Sequence, residues 1–203
     1  MALFFAIGLL ASGLASTSVG ATQPAAAASS FGWYAEVVSF DAATGDLKWE
    51  YKRKLPDDLG KYFPVPAINR NLAIYGNLII DTSADDFVYA LDANTGNLAW
   101  ETKILEYAKG AQQTSGPIIV NGKIISGRGC EPEGGPEACI ITAHDAKTGK
   151  ELWVVKLNAS VMATPSTYQG KDGRQYVSVV ATGGTLGGAP LTSDEVIAFR
   201  IKK

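Results

Sequence analysis

Leu91-Asp92-Ala93-Asn94-Thr95-Gly96-Asn97-Leu98-Ala99-Trp100 recurs without gaps as Phe40-Asp41-Ala42-Ala43-Thr44-Gly45-Asp46-Leu47-Lys48-Trp49, and again as His144-Asp145-Ala146-Lys147-Thr148-Gly149-Lys150-Glu151-Leu152-Trp153. Asp, Thr, Gly and Trp keep their offsets in all three segments, at a period of 51 and then 53 residues. Periods of this size belong to propellers and solenoids. An apolar strand comes first in each copy: Ala35–Phe40, Phe87–Leu91 and Ile140–His144. The Asp then starts a turn by accepting backbone N–H bonds, and the Gly permits the positive φ of the bend. The strand that follows carries a Trp, whose large ring fills the gap between neighbouring units. Trp49, Trp100 and Trp153 are therefore read as structural docking residues, not catalytic ones.

Working outward, a second hairpin precedes each later motif. Ile118–Ile125 folds around Asn121-Gly122, the strongest short hairpin signal. Leu72–Ile80 turns at Gly76-Asn77, and Ser166–Val180 at Gly170-Lys171-Asp172-Gly173. One unit is strand, turn, strand, loop, strand, Thr-Gly turn, strand, which is a propeller blade of four antiparallel strands. The fold class is all-β, a β-propeller in a partial ring of about three and a half blades. Residues 31–51 hold the last two strands of a blade. Complete blades are expected over 64–104, 113–157 and 161–201, the last ending on Glu195–Arg200 without a Thr-Gly-Trp turn. The first hairpin of the opening blade is not visible in the sequence.

The chain has 203 residues, 22 of them Gly, and a net charge of -2. Its pI of 5.4 argues against nucleic acid as a partner, because phosphate binding wants a basic face. Ala2–Leu14 is an apolar run of 13 residues, too short to span a bilayer. Small residues follow, with cleavage sites ending at Ala21 or within Ala25–Ala28. Residues 1–28 read as a signal peptide ahead of a propeller domain at 31–203, which makes the protein periplasmic or secreted and not an integral membrane protein. No Lys or Arg precedes the apolar run, and a disordered Ala-rich N-terminus is the alternative. Between Cys130 and Cys139 lie three Glu, two Pro and two Gly. In an oxidising compartment this reads as a disulfide closing a surface loop, worth about 2–3 kcal/mol, against the alternative of two free thiols. Two Cys and one His make no complete zinc site.

The Asp-x-x-Thr-Gly-x-x-x-Trp motif resembles the tryptophan docking motif of the pyrroloquinoline quinone (PQQ)-dependent alcohol dehydrogenases, which are eight-bladed propellers. Asn69–Gly76 resembles their Asn-Arg-Gly segment, and Tyr107–Pro117, with Thr114-Ser115-Gly116-Pro117, the segment ahead of their next hairpin. Ile124–Gly127 resembles the opening of the loop that carries their metal-binding Glu, and Ala163–Gly184 resembles their last blade. The resemblance implies PQQ on the propeller axis beside Ca²⁺ or a lanthanide. It implies that Arg70 contacts the anionic quinone, as a guanidinium fork suits, and that Thr114, with Ser115, bonds the cofactor. Glu131 and Glu133 are the implied metal ligands, since hard cations want carboxylate oxygen. The alternatives remain a surface ion pair for Arg70, a turn hydroxyl for Thr114 and solvated loop carboxylates for the two Glu.

The implied activity is oxidation of a small alcohol, with electrons passing to PQQ and on to a cytochrome or a quinone. Two features depart from the family. No adjacent Cys pair precedes Asn69, where Tyr62-Phe63-Pro64-Val65-Pro66 stands. The middle blades, which carry the family's catalytic Asp, are missing between Trp153 and Ala159, so the catalytic base is not assigned. The rival readings are a non-catalytic propeller scaffold that binds other proteins in the periplasm and a truncated product with no function of its own. Mass spectrometry of exported protein without reductant is expected to show the loss of two hydrogens at Cys130 and Cys139. Two alkylatable thiols would overturn that expectation.

Overall fold

The computed structural model describes residues 3–7, 34–62, 71–109, 115–130, 138–183 and 192–201. Within them the alternating apolar runs pair into four antiparallel meanders. Sheet 1 is β1 (Leu3–Ile7), β2 (Tyr34–Asp41) and β3 (Leu47–Lys54). Sheet 2 is β4 (Ala73–Tyr75), β5 (Leu78–Thr82), β6 (Phe87–Asp92) and β7 (Leu98–Lys103). Sheet 3 is β8 (Ile118–Val120), β9 (Lys123–Gly127), β10 (Ile140–Asp145) and β11 (Glu151–Lys156). Sheet 4 is β12 (Ser166–Gln169), β13 (Gln175–Gly183) and β14 (Thr192–Arg200). Sheets 2 and 3 are the four-stranded blades read from the sequence. Sheet 4 has three described strands.

Sheet 1 differs from expectation in another way. Leu3–Ile7, read as part of the export leader, pairs antiparallel with β2 from Leu3↔Asp41 to Ile7↔Val37. An open strand edge presents unpaired N–H and C=O groups, and an apolar segment satisfies them. Leader and edge strand are two uses of the same residues.

The sheets stack face to face, and alternation along each strand splits its side chains between two neighbours. On β6, Tyr89 and Leu91 pack with Val37 and Trp49 of sheet 1, whereas Val88 and Ala90 pack with Ile124 of sheet 3. Ile125, Ile141 and Ala143 in turn meet Val177, Val179 and Ala181 of sheet 4. This two-sided burial explains the adjacent apolar pairs Ile79-Ile80 and Ile124-Ile125, all fully buried.

The repeated turns register one sheet on the next. Oδ1 of Asp92 accepts the backbone N–H groups of Asn94 and Thr95, each at 3.0 Å, and Asp145 does the same for Lys147 and Thr148. Gly96 lies at φ 74° beneath the Trp49 ring, where a Cβ would stand 2.6 Å from Cε3. Trp100 covers Gly149 in the same manner, and Thr102 Oγ1 donates to the Gly149 carbonyl at 2.8 Å. Trp153 instead lies against Phe199, with ring centroids 5.7 Å apart.

The sequence gives Trp49 the smaller role, since its own blade shows no first hairpin. The structure corrects this. Trp49 is buried and its Nε1–H donates to the Ala93 carbonyl at 3.0 Å. Its seat belongs to sheet 2, which is complete, so its own missing hairpin does not matter. Trp49→Ala and Trp100→Ala are each expected to cost about 3–5 kcal/mol in urea unfolding. Gly96→Ala should cost about 1–3 kcal/mol more than Gly45→Ala. Both glycines have positive φ, but a Cβ at Gly45 meets nothing within 4 Å. Equal effects at the two glycines would show that the rings do not dock as described.

Candidate functional site

Each described turn between first and second strands, and each Thr-Gly turn, lies at one end of the stack, as the bonds from Ala93 N to Asn77 O and from Ala146 N to Gly122 O, both 2.9 Å, illustrate. The longer connections between sheets, and those between second and third strands, lie at the other end. This loop end gathers the segments that lead into three first strands. Asn71 precedes β4, Gly116-Pro117 precedes β8 and Thr164 precedes β12. Nδ2 of Asn71 donates to the Pro117 carbonyl at 3.2 Å, and Thr164 Oγ1 donates to Asn71 Oδ1 at 3.2 Å. Gly116 is required by this approach, because a Cβ there would overlap the Asn71 backbone oxygen and side chain. Ser115 is buried, and its carbonyl accepts from Thr82 Oγ1 at 3.5 Å.

Four of the predicted site residues, Arg70, Thr114, Glu131 and Glu133, lie outside the described residues. Arg70 directly precedes Asn71, and Thr114 directly precedes Ser115. Cys130 and Cys139 form a disulfide, as expected. Both cysteines are buried; Cys130 N donates to Ser160 Oγ at 2.9 Å and Leu157 N to the Cys139 carbonyl at 2.7 Å. Among the described residues no group of three or more His, Cys, Asp or Glu converges as a metal site would.

Sequence reading missed the charged clamp beneath this end. The turn between β5 and β6 holds Asp85 and Asp86 side by side, and each pairs with an Arg from a different neighbouring sheet. Arg53 of sheet 1 reaches Asp85 with Nη2 at 2.8 Å and Nε at 3.1 Å. It also meets Glu101 with Nη1 at 2.5 Å and lies 4.3 Å over the Phe87 ring. These carboxylates hold the Arg53 pKa above its usual value despite the opposing cost of burial. Arg128 of sheet 3 places Nε 2.9 Å from Asp86 Oδ1, with neither side chain exposed at all. Nη1 of Arg128 donates to Ser126 Oγ at 3.0 Å and to the Gly127 carbonyl at 2.9 Å. The Arg128 carbonyl accepts from Val161 N at 2.9 Å, so this one residue joins sheets 2 and 3 to the connection that leads into sheet 4. The only sequence signals were an Asp-Asp pair between apolar strands and an Arg set in glycines.

Burial pushes the Asp86 carboxyl up to about 6, with Asp85 adding to the rise and Arg128 and Lys103 opposing it. His144 is also buried, and neither ring nitrogen has a hydrogen-bond partner among the described residues. Burial, and then the Arg128 charge, push it down to about 4. Tyr89, buried with its hydroxyl donating to Asp81 at 2.9 Å, is raised well above the usual phenol range by burial and by that carboxylate. The arrangement rigidifies the loop end and supplies buried positive charge. Among the described residues it offers no base poised over an open cleft.

Such a stack of docked sheets defines a propeller-repeat protein, and comparison with known proteins places it further. A family model described as the β-propeller domain of glucose/ethanol/alcohol dehydrogenase matches residues 102–177. A second, described as outer membrane protein assembly factor BamB, matches residues 26–131, more than half of the chain. Quinoprotein alcohol dehydrogenase PedH of Pseudomonas putida is 36% identical over 125 residues, which is 61% of this chain and 20% of the relative. Quinoprotein ethanol dehydrogenase of Pseudomonas aeruginosa is 33% identical over 125 residues, 60% of this chain and 20% of that relative. A solved europium-containing methanol dehydrogenase superposes with a TM-score of 0.54 at 26% identity, covering 61% of this chain and 22% of its own. The chain belongs to the PQQ-type β-propeller domain family, related to the quinoprotein alcohol dehydrogenases. It spans a fifth of the length of these two curated relatives.

The buried pair of titrating groups yields a pH dependence. His144 has a folded pKa below its unfolded one, so its contribution is lost as pH falls from 6.5 to about 4. Asp86 has a folded pKa above its unfolded one, so its contribution is present near pH 4 and lost as pH rises to about 6. Each is worth on the order of 3 kcal/mol, and the two oppose one another. Wild-type stability is expected to be nearly flat across this window. His144→Leu, which installs the residue of the sister position Leu91, should gain on wild type by up to about 3 kcal/mol as pH falls from 6.5 to 4. Urea unfolding at several pH values reads the difference, and a pH-independent gap between the two proteins would refute the assignment.

Proposed function

We propose that this chain is a PQQ-dependent alcohol dehydrogenase-type module, with Arg70, Thr114 and Ser115 binding the cofactor at the loop end. The observation that carries this reading is the bonded line of Asn71, Pro117 and Thr164. It draws three first-strand entries together immediately beside Arg70 and Thr114 in the chain. Arg70 would fork onto the carboxylates of the anionic quinone, and the Thr114 and Ser115 hydroxyls would orient it. Glu131 or Glu133 would supply carboxylate oxygen to Ca²⁺ or a lanthanide, from a loop whose two ends the Cys130–Cys139 disulfide joins. When bound, PQQ accepts the two electrons removed from an alcohol and passes them to a cytochrome or a quinone. The disulfide supports a periplasmic or secreted location.

A second reading, a non-catalytic scaffold that binds other periplasmic proteins, is favoured by the assembly-factor model that matches residues 26–131. Titration of purified protein with PQQ and Ca²⁺, followed by absorbance and thermal stability, separates the two. Under the first reading binding is saturable and Arg70→Ala weakens it at least tenfold. No binding leaves the scaffold. Alcohol oxidation by this chain alone, in a dye-linked assay, is expected to be far below the roughly 10 s⁻¹ of a typical enzyme. No base has been recognised, and lacking one costs about 10²–10⁴ in rate. Turnover near that typical value would imply that the chain supplies a base of its own.

A further inference from the structure

We infer that the seam between sheets 2 and 3 is a binding site for internal water, held at Asp86, Trp100, Arg128 and His144. The site is distinct from cofactor binding and does not depend on it. These four residues each carry a buried nitrogen or oxygen with no hydrogen-bond partner among the described residues, and all four lie in this one seam. Asp86 and Arg128 face each other across it at 2.9 Å. The Nε–H does not point along that contact, so Nη2 and both carboxylate oxygens stay without a hydrogen bond. His144 stands opposite Ile124, which lies in one cluster with Val88, Ala90 and the Trp100 ring of sheet 2. Among the described residues the seam between sheets 1 and 2 has only Ser39 in this condition. Buried polar groups left dry are strongly unfavourable, and folded proteins satisfy them with ordered water.

Water also needs room, and the repeat shows where it comes from. Strand register aligns Asp81, Tyr89 and Leu91 of sheet 2 with Ser126, Thr142 and His144 of sheet 3. It likewise aligns Tyr51 of sheet 1 with Thr102 of sheet 2. Between sheets 1 and 2 the two tyrosine rings fill the seam, 5.7 Å apart, and the Tyr89 hydroxyl meets Asp81 at 2.9 Å. Between sheets 2 and 3 two threonines stand at that level. Arg128 enters this space from the loop end and fills part of it, its Nη1 ending on Ser126 Oγ at 3.0 Å. The Ser126 and Thr142 hydroxyls, 3.3 Å apart, continue the polar line toward His144. An anion here would meet the Asp86 carboxylate, and a cation would meet the Arg128 guanidinium. The ligand that fits is a neutral molecule that both donates and accepts, taking N–H bonds from Arg128 and Trp100 and giving O–H bonds to Asp86 and His144.

Magnetic relaxation dispersion of the water signal, in solutions of the whole chain, counts waters held for longer than the protein takes to tumble. His144→Leu, which installs the residue of the sister position, should lower that count by at least one with an unchanged circular dichroism spectrum. Tyr51→Phe, in the seam between sheets 1 and 2, should leave the count as it is. A nuclear Overhauser cross-peak to water is expected at the Trp100 indole N–H and not at that of Trp49, which donates to the Ala93 carbonyl at 3.0 Å. An equal count in wild type and His144→Leu, or a Trp100 indole without the cross-peak, would overturn the inference. So would a thermal midpoint that rises saturably with chloride in wild type but not in His144→Leu, since that result puts an anion beside Arg128 instead.

Discussion

A tryptophan ring lying flat on a glycine of the next sheet is the contact on which the rest of this structure depends. A β-sheet buried on both faces has little in its own strands to set how far, and at what angle, the neighbouring sheet lies. Dispersion between flat apolar surfaces is non-directional. The Trp49–Gly96 and Trp100–Gly149 contacts supply that missing direction. The indole can approach only where no Cβ stands, and the Gly can occupy only the turn conformation that the Asp side chain holds open. One local motif therefore fixes a long-range geometry, and it recurs in the chain because each sheet needs the same instruction.

The loop end is held by a different kind of bond. Asp85 and Asp86 share one turn and reach Arg53 and Arg128 on opposite sides. The two bonds are not equivalent. Arg53 keeps three hydrogen bonds to Asp85, a partner in Glu101 and an aromatic face, so its charge is well compensated. Arg128 is wholly buried with its Nη2 unpartnered among the described residues, next to an uncharged His144. Buried pairs of this type seldom add net stability, because desolvation offsets attraction, but removing one member strands the other. Arg128 is better understood as a device for position. Its side chain, carbonyl and neighbour Cys130 reach sheet 2 and the connection into sheet 4 within three residues of chain, and it stands at the base of the disulfide-closed loop.

Most of the fold was legible because its determinants are local. Thr-Gly turns, an Asn-Gly hairpin and apolar alternation each act within ten residues, and β5, β6, β9, β10 and β13 fall where those signals put them. What was hidden depends on partners far apart in the chain. Nothing near Arg128 announces Asp86, and nothing near Asn71 announces Thr164, 93 residues away. The weight of Trp49 was misjudged for the same reason, since its seat lies in the following sheet. Leu3–Ile7 shows the opposite limit: a short apolar run has the same composition in a leader and in an edge strand. For the site, the segments around Asn71 and Thr114-Ser115-Gly116-Pro117 were legible by resemblance, and the structure joins their described members through side-chain bonds.

A site on a propeller axis differs from one built within a single domain core, because every blade contributes a little and none contributes enough. Sheets 2, 3 and 4 bring Asn71, Pro117 and Thr164 into one bonded line, and that line is an arc, not an enclosure. A ligand seated on an arc keeps one side in water, where hydrogen bonds and ion pairs to it lose most of their strength. Fixed dipoles act on a reacting group only when water is excluded from it. For this reason a docking motif and a few cofactor contacts can persist in proteins that have no catalysis, and fold alone cannot distinguish these from enzymes. What converts an arc into a site is the closing of the ring.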